Sequence, residues 1–394
     1  MKKIFLTLGL AALLLGPAVP AVRAWGVFGH RVTTQVAVYE LPAPLQAFYY
    51  RHLAELVRES DAPDRRAAKD RPELGRHFIK LDHYSENNPF AKVPRNYDEA
   101  VEKFSADTLQ KYGTLPWAIV EAKDRLVQAW QQRDTAAVVR ASAELSNYAA
   151  DAFSPLRTTV NYDGQLTNQT GLLALYENQL PERNIASYKL DGEQGKFLRD
   201  PLGSVWAVLQ NSYGFLTATF DLETKVSKNF TPQTKYAYAH RFGRTQRRYS
   251  DAFADAYNKE VGGQVDFRLQ QAAPFIASLW LTAWQEAGHP SVSEFMSKPT
   301  AAEKDKLAAE LKAFKANTLG KEQLLLAQQK EQKARAADEI KAAEGEMAAP
   351  PPPEPATPAA PTPAAAPAEK AKPKPKPAAP PTKAKAKPAP TGWE

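Results

Sequence analysis

Acids and imidazoles able to hold a cation or move a proton gather in three stretches of this chain. The first is Trp25-Gly26-Val27-Phe28-Gly29-His30. A free α-amino group and the carbonyl of the same residue close a five-membered chelate on a metal, and His30 is near enough in sequence to turn back towards it. The second is Ser60-Asp61-Ala62-Pro63-Asp64-Arg65-Arg66, followed by Gly75-Arg76-His77-Phe78-Ile79-Lys80-Leu81-Asp82-His83. Carboxylate and imidazole are standard zinc donors. The third runs from Asn147 to Asp151, four apart and so on one helix face, and on through Arg157 to the polar loop Asn161-Tyr162-Asp163-Gly164-Gln165 and Glu177. Each stretch alone also reads as ordinary structure: a lone histidine, a loop of acids, a helix end with its turn.

The elements that must position these residues are helical. Apolar residues three or four apart predict helices at His30–Tyr39, Leu45–Glu59, Tyr97–Lys111, Trp117–Gln132 and Thr135–Asp151. Further helices are expected at Leu202–Val226, Arg248–Val261 and Phe267–Ala287. Asp134-Thr135 reads as the cap of the fifth. Strand-like alternation is scarce, so the expected fold class is all-α. Residues 1–24 read as a signal peptide: Lys2 and Lys3 precede a short apolar run, and Val22-Arg23-Ala24 offers small residues before a cut. Export, to a periplasmic or extracellular location, is therefore expected, with Trp25 as the new N-terminus and no transmembrane segment after cleavage.

Residues 25–295 form the expected folded domain. Residues 296–348 read as a charged, exposed helical extension whose best apolar positions are Leu307, Leu311 and Phe314. Residues 349–394 are dominated by Pro, Ala and Lys, a composition that cannot bury a core and predicts an extended, disordered tail. Such a tail suits an anionic envelope polymer as partner, or serves as a solubilising spacer. The chain has no cysteine, which excludes disulfides and thiolate ligands. Its formal net charge is +7. Lys2, Lys3, Arg23 and the lysine-rich tail account for all of it, so residues 25–348 are neutral. That argues against a dedicated cationic nucleic-acid groove. There is no Gly-rich phosphate loop, no Gly-x-Ser-x-Gly and no His-Glu-x-x-His.

The stretches also occur in a telling order. The Trp-Gly start, Pro63-Asp64-Arg65-Arg66, Arg76-His77-Phe78-Ile79 and Tyr112-Gly113-Thr114-Leu115-Pro116-Trp117 come first. Asn147-Tyr148-Ala149-Ala150-Asp151, Asn161-Tyr162-Asp163-Gly164-Gln165, Trp280–Trp284 and Ala287-Gly288-His289-Pro290 follow. Together, over residues 25–290, they resemble the zinc-dependent phospholipase C and single-strand nuclease superfamily. The resemblance implies an all-helical scaffold with a three-zinc cleft in which a metal-bound hydroxide attacks a phosphodiester. It places Trp25, His30 and Asp151 on one zinc. It places Asp64, His77 and Asp151 on a second, with Asn147 where a further histidine belongs. Of the third set only Glu177 matches, because Arg157 and Leu173 stand at the histidine positions.

The resemblance therefore implies one zinc, allows two and disfavours three. Asp64 and Arg157 are the expected catalytic groups if the chain is active, with a phospholipid or nucleic acid as the phosphodiester partner. Arg157 is expected to pair with Glu177 where the third ion would sit. Three functions follow. One is a phosphodiesterase of reduced nuclearity, with an open coordination position facing a cleft. Another is a metal-stabilised pseudoenzyme for a phosphorylated or lipid ligand, its cleft filled by Leu173 and the Arg157–Glu177 pair. The last is a structural envelope protein that presents a partner surface along residues 300–348. His52, His240 and His289 match no ligand position, and His83 either orients His77 from behind or lies at the surface.

Overall fold

Proline, serine and threonine set most helix starts in this computed structural model, which describes residues 26–85, 87–241, 244–330 and 333. The expected signal peptide, Trp25 and the Pro/Ala/Lys tail lie outside the described residues. The chain opens with α1 (Val27–Tyr39), α2 (Ala43–Arg51), α3 (Leu53–Glu59), α4 (Ala62–Ala67) and α5 (Arg71–Leu74), then a 3-10 turn at Gly75–His77. Next come α6 (Pro89–Lys92), α7 (Tyr97–Phe104) and α8 (Ala106–Tyr112), which lead to the antiparallel neighbours α9 (Leu115–Gln131) and α10 (Thr135–Asp151). Then α11 (Leu172–Ala174), a π-helical turn (Leu175–Gln179) and α12 (Leu180–Asn184) run on without a break. The elements that follow are α13 (Pro201–Gly214), α14 (Leu216–Ser227), α15 (Pro232–Lys235), a hairpin of β1 (Tyr236–Arg241) and β2 (Arg244–Tyr249), α16 (Asp251–Glu286) and α17 (Ala301–Lys315).

The all-α expectation holds, with this hairpin as the addition. Tyr236 pairs with Tyr249 and Tyr238 with Arg247. Three expected helices are each broken once. His52 leaves helical geometry between α2 and α3. Ser105 takes φ 70 between α7 and α8, and its hydroxyl accepts from Thr108 N at 3.3 Å as the cap of α8. Phe215 separates α13 from α14. Conversely, two expected helices are one: α16 runs 36 residues through Gly262, Gly263 and Pro274. It packs on α1, α9, α10 and α14, and that burial outweighs the intrinsic cost of glycine and proline in a helix.

The core lies where α1, α9, α10 and α16 meet. Tyr49 stacks on Trp280 at 4.6 Å, and Trp130 and Phe48 close around them. The Trp280 indole donates to Ser142 O at 3.0 Å, which satisfies its one polar atom. The stretch after residue 295 is not the exposed extension that its charge suggested. Phe314 sits 5.6 Å from Tyr39, and Phe314, Leu319 and Leu325 are buried in the same core. Tyr39 Oη donates to Glu310 at 2.7 Å, and Gln35 holds Leu324 O and Leu326 N. Among the described residues no helix is long and apolar enough to cross a membrane.

Candidate functional site

Six elements converge on one polar cluster. His30 comes from the first turn of α1, Asp64 from α4, His77 from the 3-10 turn, and Asn147 and Asp151 from one face of α10. Arg157 follows on a short turn, and Glu177 sits in the π-helical turn, a distortion that re-aims side chains and recurs at functional sites. Thr34 and Ser146 share a hydrogen bond of 2.8 Å that locks α1 to α10 beside the cluster. Every expected site residue that the structure describes is therefore in this one place. Trp25 lies outside the described residues, although Gly26 N donates to Glu177 O at 3.2 Å and so brings the chain's entry to the cluster's edge.

The contacts sort into two halves. In the first, His30 Nε2 stands 3.5 Å from Asp64 Oδ2 and 3.5 Å from Asp151 Oδ1. Neither ring nitrogen of His30 has a hydrogen-bond partner. His77 Nδ1 is 2.8 Å from Asp151 Oδ2 and 3.9 Å from Asp64 Oδ1. Asn147 donates to Asp64 Oδ2 at 2.8 Å and to Ser60 O at 2.7 Å. In the second half, Arg157 grips Glu177 with both edges, Nη2 to Oε2 at 2.8 Å and Nε to Oε1 at 3.2 Å. Ser154 Oγ also donates to Glu177, and Arg157 Nε lies 3.8 Å from Asp151. The expected Arg157–Glu177 pair is thus present.

Burial governs the electrostatics. It pushes the Asp64 carboxyl up to about 6 and Glu177 up to about 7, against the pull of His77 and Arg157 respectively. It draws His77 down to about 4 and His30 well below the usual imidazole range. For Arg157 burial pulls the other way, yet Glu177, Asp151 and Asp64 outweigh it and raise the guanidinium's pKa. Both histidines are thus neutral, and Asp64, Asp151 and Glu177 against Arg157 leave two negative charges in excess when ionised.

One spacing in that donor set is longer than a hydrogen bond. Two ligands of a tetrahedral zinc with bonds of about 2.0–2.1 Å stand about 3.4 Å apart, whereas a hydrogen bond is about 2.7–3.2 Å. At 3.5 Å, the spacing of His30 Nε2 to each of the two carboxylates is nearer the first value. Among the described residues no group of three or more His, Cys, Asp or Glu is placed to hold a metal ion, and the His77–Asp151 hydrogen bond would have to open for His77 to join one. Around Glu177 the neighbouring positive charge is the Arg157 guanidinium, and Leu173 is buried beside this turn. Asn147 directs its amide, not its oxygen, at Asp64. As placed, it is a donor to a carboxylate rather than a ligand.

Some neighbours were not foreseen. Glu73 Oε1 lies 3.8 Å from His77 Nε2, and the His77 ring meets Tyr148 edge-on at 5.2 Å. The available signal was Glu73 standing four residues before His77. His83 does not back His77. Its ring stacks on Tyr112 at 3.2 Å, and Asp151 is what holds His77 Nδ1. His52 packs on Phe48 and His289 on Trp284. The cluster is closed: His30, His77, Asn147, Asp151, Arg157 and Glu177 are each at most 2% exposed. No protein-family model matches this chain, and no curated protein matches it either.

Proposed function

We propose that this chain is an exported, divergent member of the zinc-dependent phospholipase C and single-strand nuclease superfamily that does not turn over phosphodiesters. Its polar cluster serves as a structural centre tying α1 to α4 and α10. The observation that carries this reading is the fully buried, two-pronged Arg157–Glu177 pair. A hydrolase of this kind needs cation charge that can move onto a phosphate, and an approach for the ester. Here the charge is a fixed guanidinium, already neutralised by Glu177, and both side chains are at most 2% exposed. A divalent ion held by His30, Asp64 and Asp151 would neutralise the excess negative charge and, where a coordination position is open, would polarise a phosphate oxygen. The chain's own residues position that charge: Asn147 fixes Asp64, and His77 fixes Asp151.

The test uses the full mature chain beginning at Trp25, loaded with zinc. Its substrates are bis(4-nitrophenyl) phosphate, phosphatidylcholine micelles and single-stranded DNA. No turnover above that of Asp151→Asn is expected on any of them, and native mass spectrometry is expected to find at most one tightly held ion. Turnover that disappears in both Asp64→Asn and Asp151→Asn would overturn the non-hydrolytic reading and leave a phosphodiesterase of reduced nuclearity.

A further inference from the structure

Two arginines rank among the largest fully buried side chains, Arg157 and Arg268. Their surroundings differ in kind. Arg157 has Glu177, Asp151 and Asp64 around it. Arg268, on α16, has only neutral acceptors: Nε donates to Phe153 O at 2.8 Å, Nη1 to Asn211 Oδ1 and Nη2 to Ser212 Oγ. The rings of Phe153 and Phe215 flank its guanidinium at 4.7 and 5.6 Å. Among the described residues no carboxylate forms an ion pair with it. Burial accordingly draws its pKa down to about 10, with Tyr176 the one other group that acts on it. A guanidinium offers five N–H donors and stays charged at neutral pH. A full positive charge is thus held under the surface without a counter-charge from the described residues.

An open depression of about 490 Å³, lined by Ala207, Gln210, Asn211, Gly214 and Phe215 at the end of α13, adjoins Arg268 through Asn211. Asn211 belongs to both places. It is exposed in the depression, and its carboxamide oxygen rests on Arg268. The walls are largely apolar, and they continue to Phe267, 43% exposed and 6.3 Å from Phe215. At Gly214 a Cβ would meet nothing within 4 Å, so the space beside the helix end is open.

We infer that this depression binds an amphiphilic anion whose head group takes the place of the Asn211 carboxamide on Arg268 while its short apolar chain lies along Phe215 and Phe267. The complementarity is one of charge and polarity. A neutral amide swings aside, an anion replaces it on an uncompensated guanidinium, and water leaves an apolar wall. This inference does not rest on the reading of the histidine–aspartate cluster.

The experiment is calorimetric titration of the full mature chain with octanoate, octyl phosphate, octanol and inorganic phosphate, each below its micellar concentration. One of the two octyl anions, or both, is expected to bind at one site at least tenfold more tightly than octanol or phosphate. Preference between the two identifies the head group as carboxylate or phosphate. Two variants leave Arg268 in place. Gly214→Leu fills the open space and is expected to weaken binding at least tenfold. Asn211→Asp gives Arg268 a carboxylate from within the chain, and is expected both to raise Tm and to abolish binding. Octanol binding as tightly as the anions, no binding by either anion, or undiminished binding in both variants would each overturn the inference. So would a lower Tm for Asn211→Asp.

Discussion

At Glu177 the geometry sets up a measurable asymmetry. Removing one member of a buried pair leaves the other charged and alone, which costs about 3–5 kcal/mol, whereas replacing both with apolar groups of similar volume is often neutral. Glu177→Gln is therefore expected to lower the unfolding free energy by about 3–5 kcal/mol in urea denaturation. The double variant Arg157→Met, Glu177→Leu is expected to be less destabilised than either single one. Strict additivity of the two would mean the pair does not act as a unit. The ordered residue types made this pair legible before any coordinates, since a guanidinium and a carboxylate at expected ligand positions are each other's best partner. The hydrogen-bonding roles were not legible. Sequence gives Asn147 both an acceptor and two donors, and only the placement of Ser60 O beside Asp64 selects the donor face. Nor does it show that Asp151, rather than a residue near His83, holds His77, because that depends on how the turn after α5 lies against α10.

Elements were legible where packing agrees with local pattern. Thr135–Asp151 has the predicted limits, and Asp134 accepts from Ala137 N at 2.9 Å as its cap. They were illegible where tertiary contacts decide, as in the uninterrupted α16 and in the hairpin, whose strands carry alternating Tyr and Ala or successive polar residues instead of a buried stripe. The segment of residues 189–198 is a third case, a strap with little regular structure held along α16. Its amides are taken by Asp266, Asn317, Ser278 and Thr282 side chains and by Glu40 O. Where it crosses the end of α1 a Cβ on Gly192 would fall 2.2 Å from Glu40 Oε1. The Glu40 carboxyl is buried with neither oxygen hydrogen-bonded, and burial followed by the charge of Asp191 pushes its pKa well above 4.5. The folded chain thus holds this proton more tightly than the unfolded one. The resulting penalty is absent below about pH 4.5 and grows as pH rises through the window up to the folded value. Glu40→Gln is expected to match the parent's Tm at pH 4 and exceed it increasingly towards pH 7. Parallel Tm-versus-pH curves for the two proteins would show that Glu40 is not buried in this way.

For the molecule as a whole, composition and burial give opposite answers about where the fold ends. Residues 300–330 are rich in Ala, Lys, Glu and Gln, and composition alone marks them as an appendage. Their few apolar positions nevertheless complete the core: Ala313, Phe314, Leu319, Leu325 and Ala327 are all buried. Arg51 holds Glu303 with two bonds of 2.8 and 2.9 Å across the α2–α17 seam. Composition cannot show this, because a handful of apolar residues in a charged stretch suffices when the rest of the core is already built and only one face needs covering. Fully burying a Leu- or Phe-sized side chain contributes about 1.5–3 kcal/mol. Phe314, Leu319 and Leu325 together therefore contribute roughly 5–9 kcal/mol, comparable to the whole stability of a typical domain, about 5–15 kcal/mol. Their removal also uncovers Tyr39 and the outer face of α1, the helix that delivers His30. A chain running from Trp25 to Phe295 is thus expected to lose its cooperative thermal transition and bind the dye ANS. One ending at Gly345, which lacks only the Pro/Ala/Lys-rich part and a few preceding residues, is expected to keep the parent's Tm within about 1 °C, since that composition buries no core. A cooperative, unshifted transition for the chain ending at Phe295 would return residues 300–330 to the status of an appendage. It would also mean that α3, α10 and α16 hold α1 without that cover.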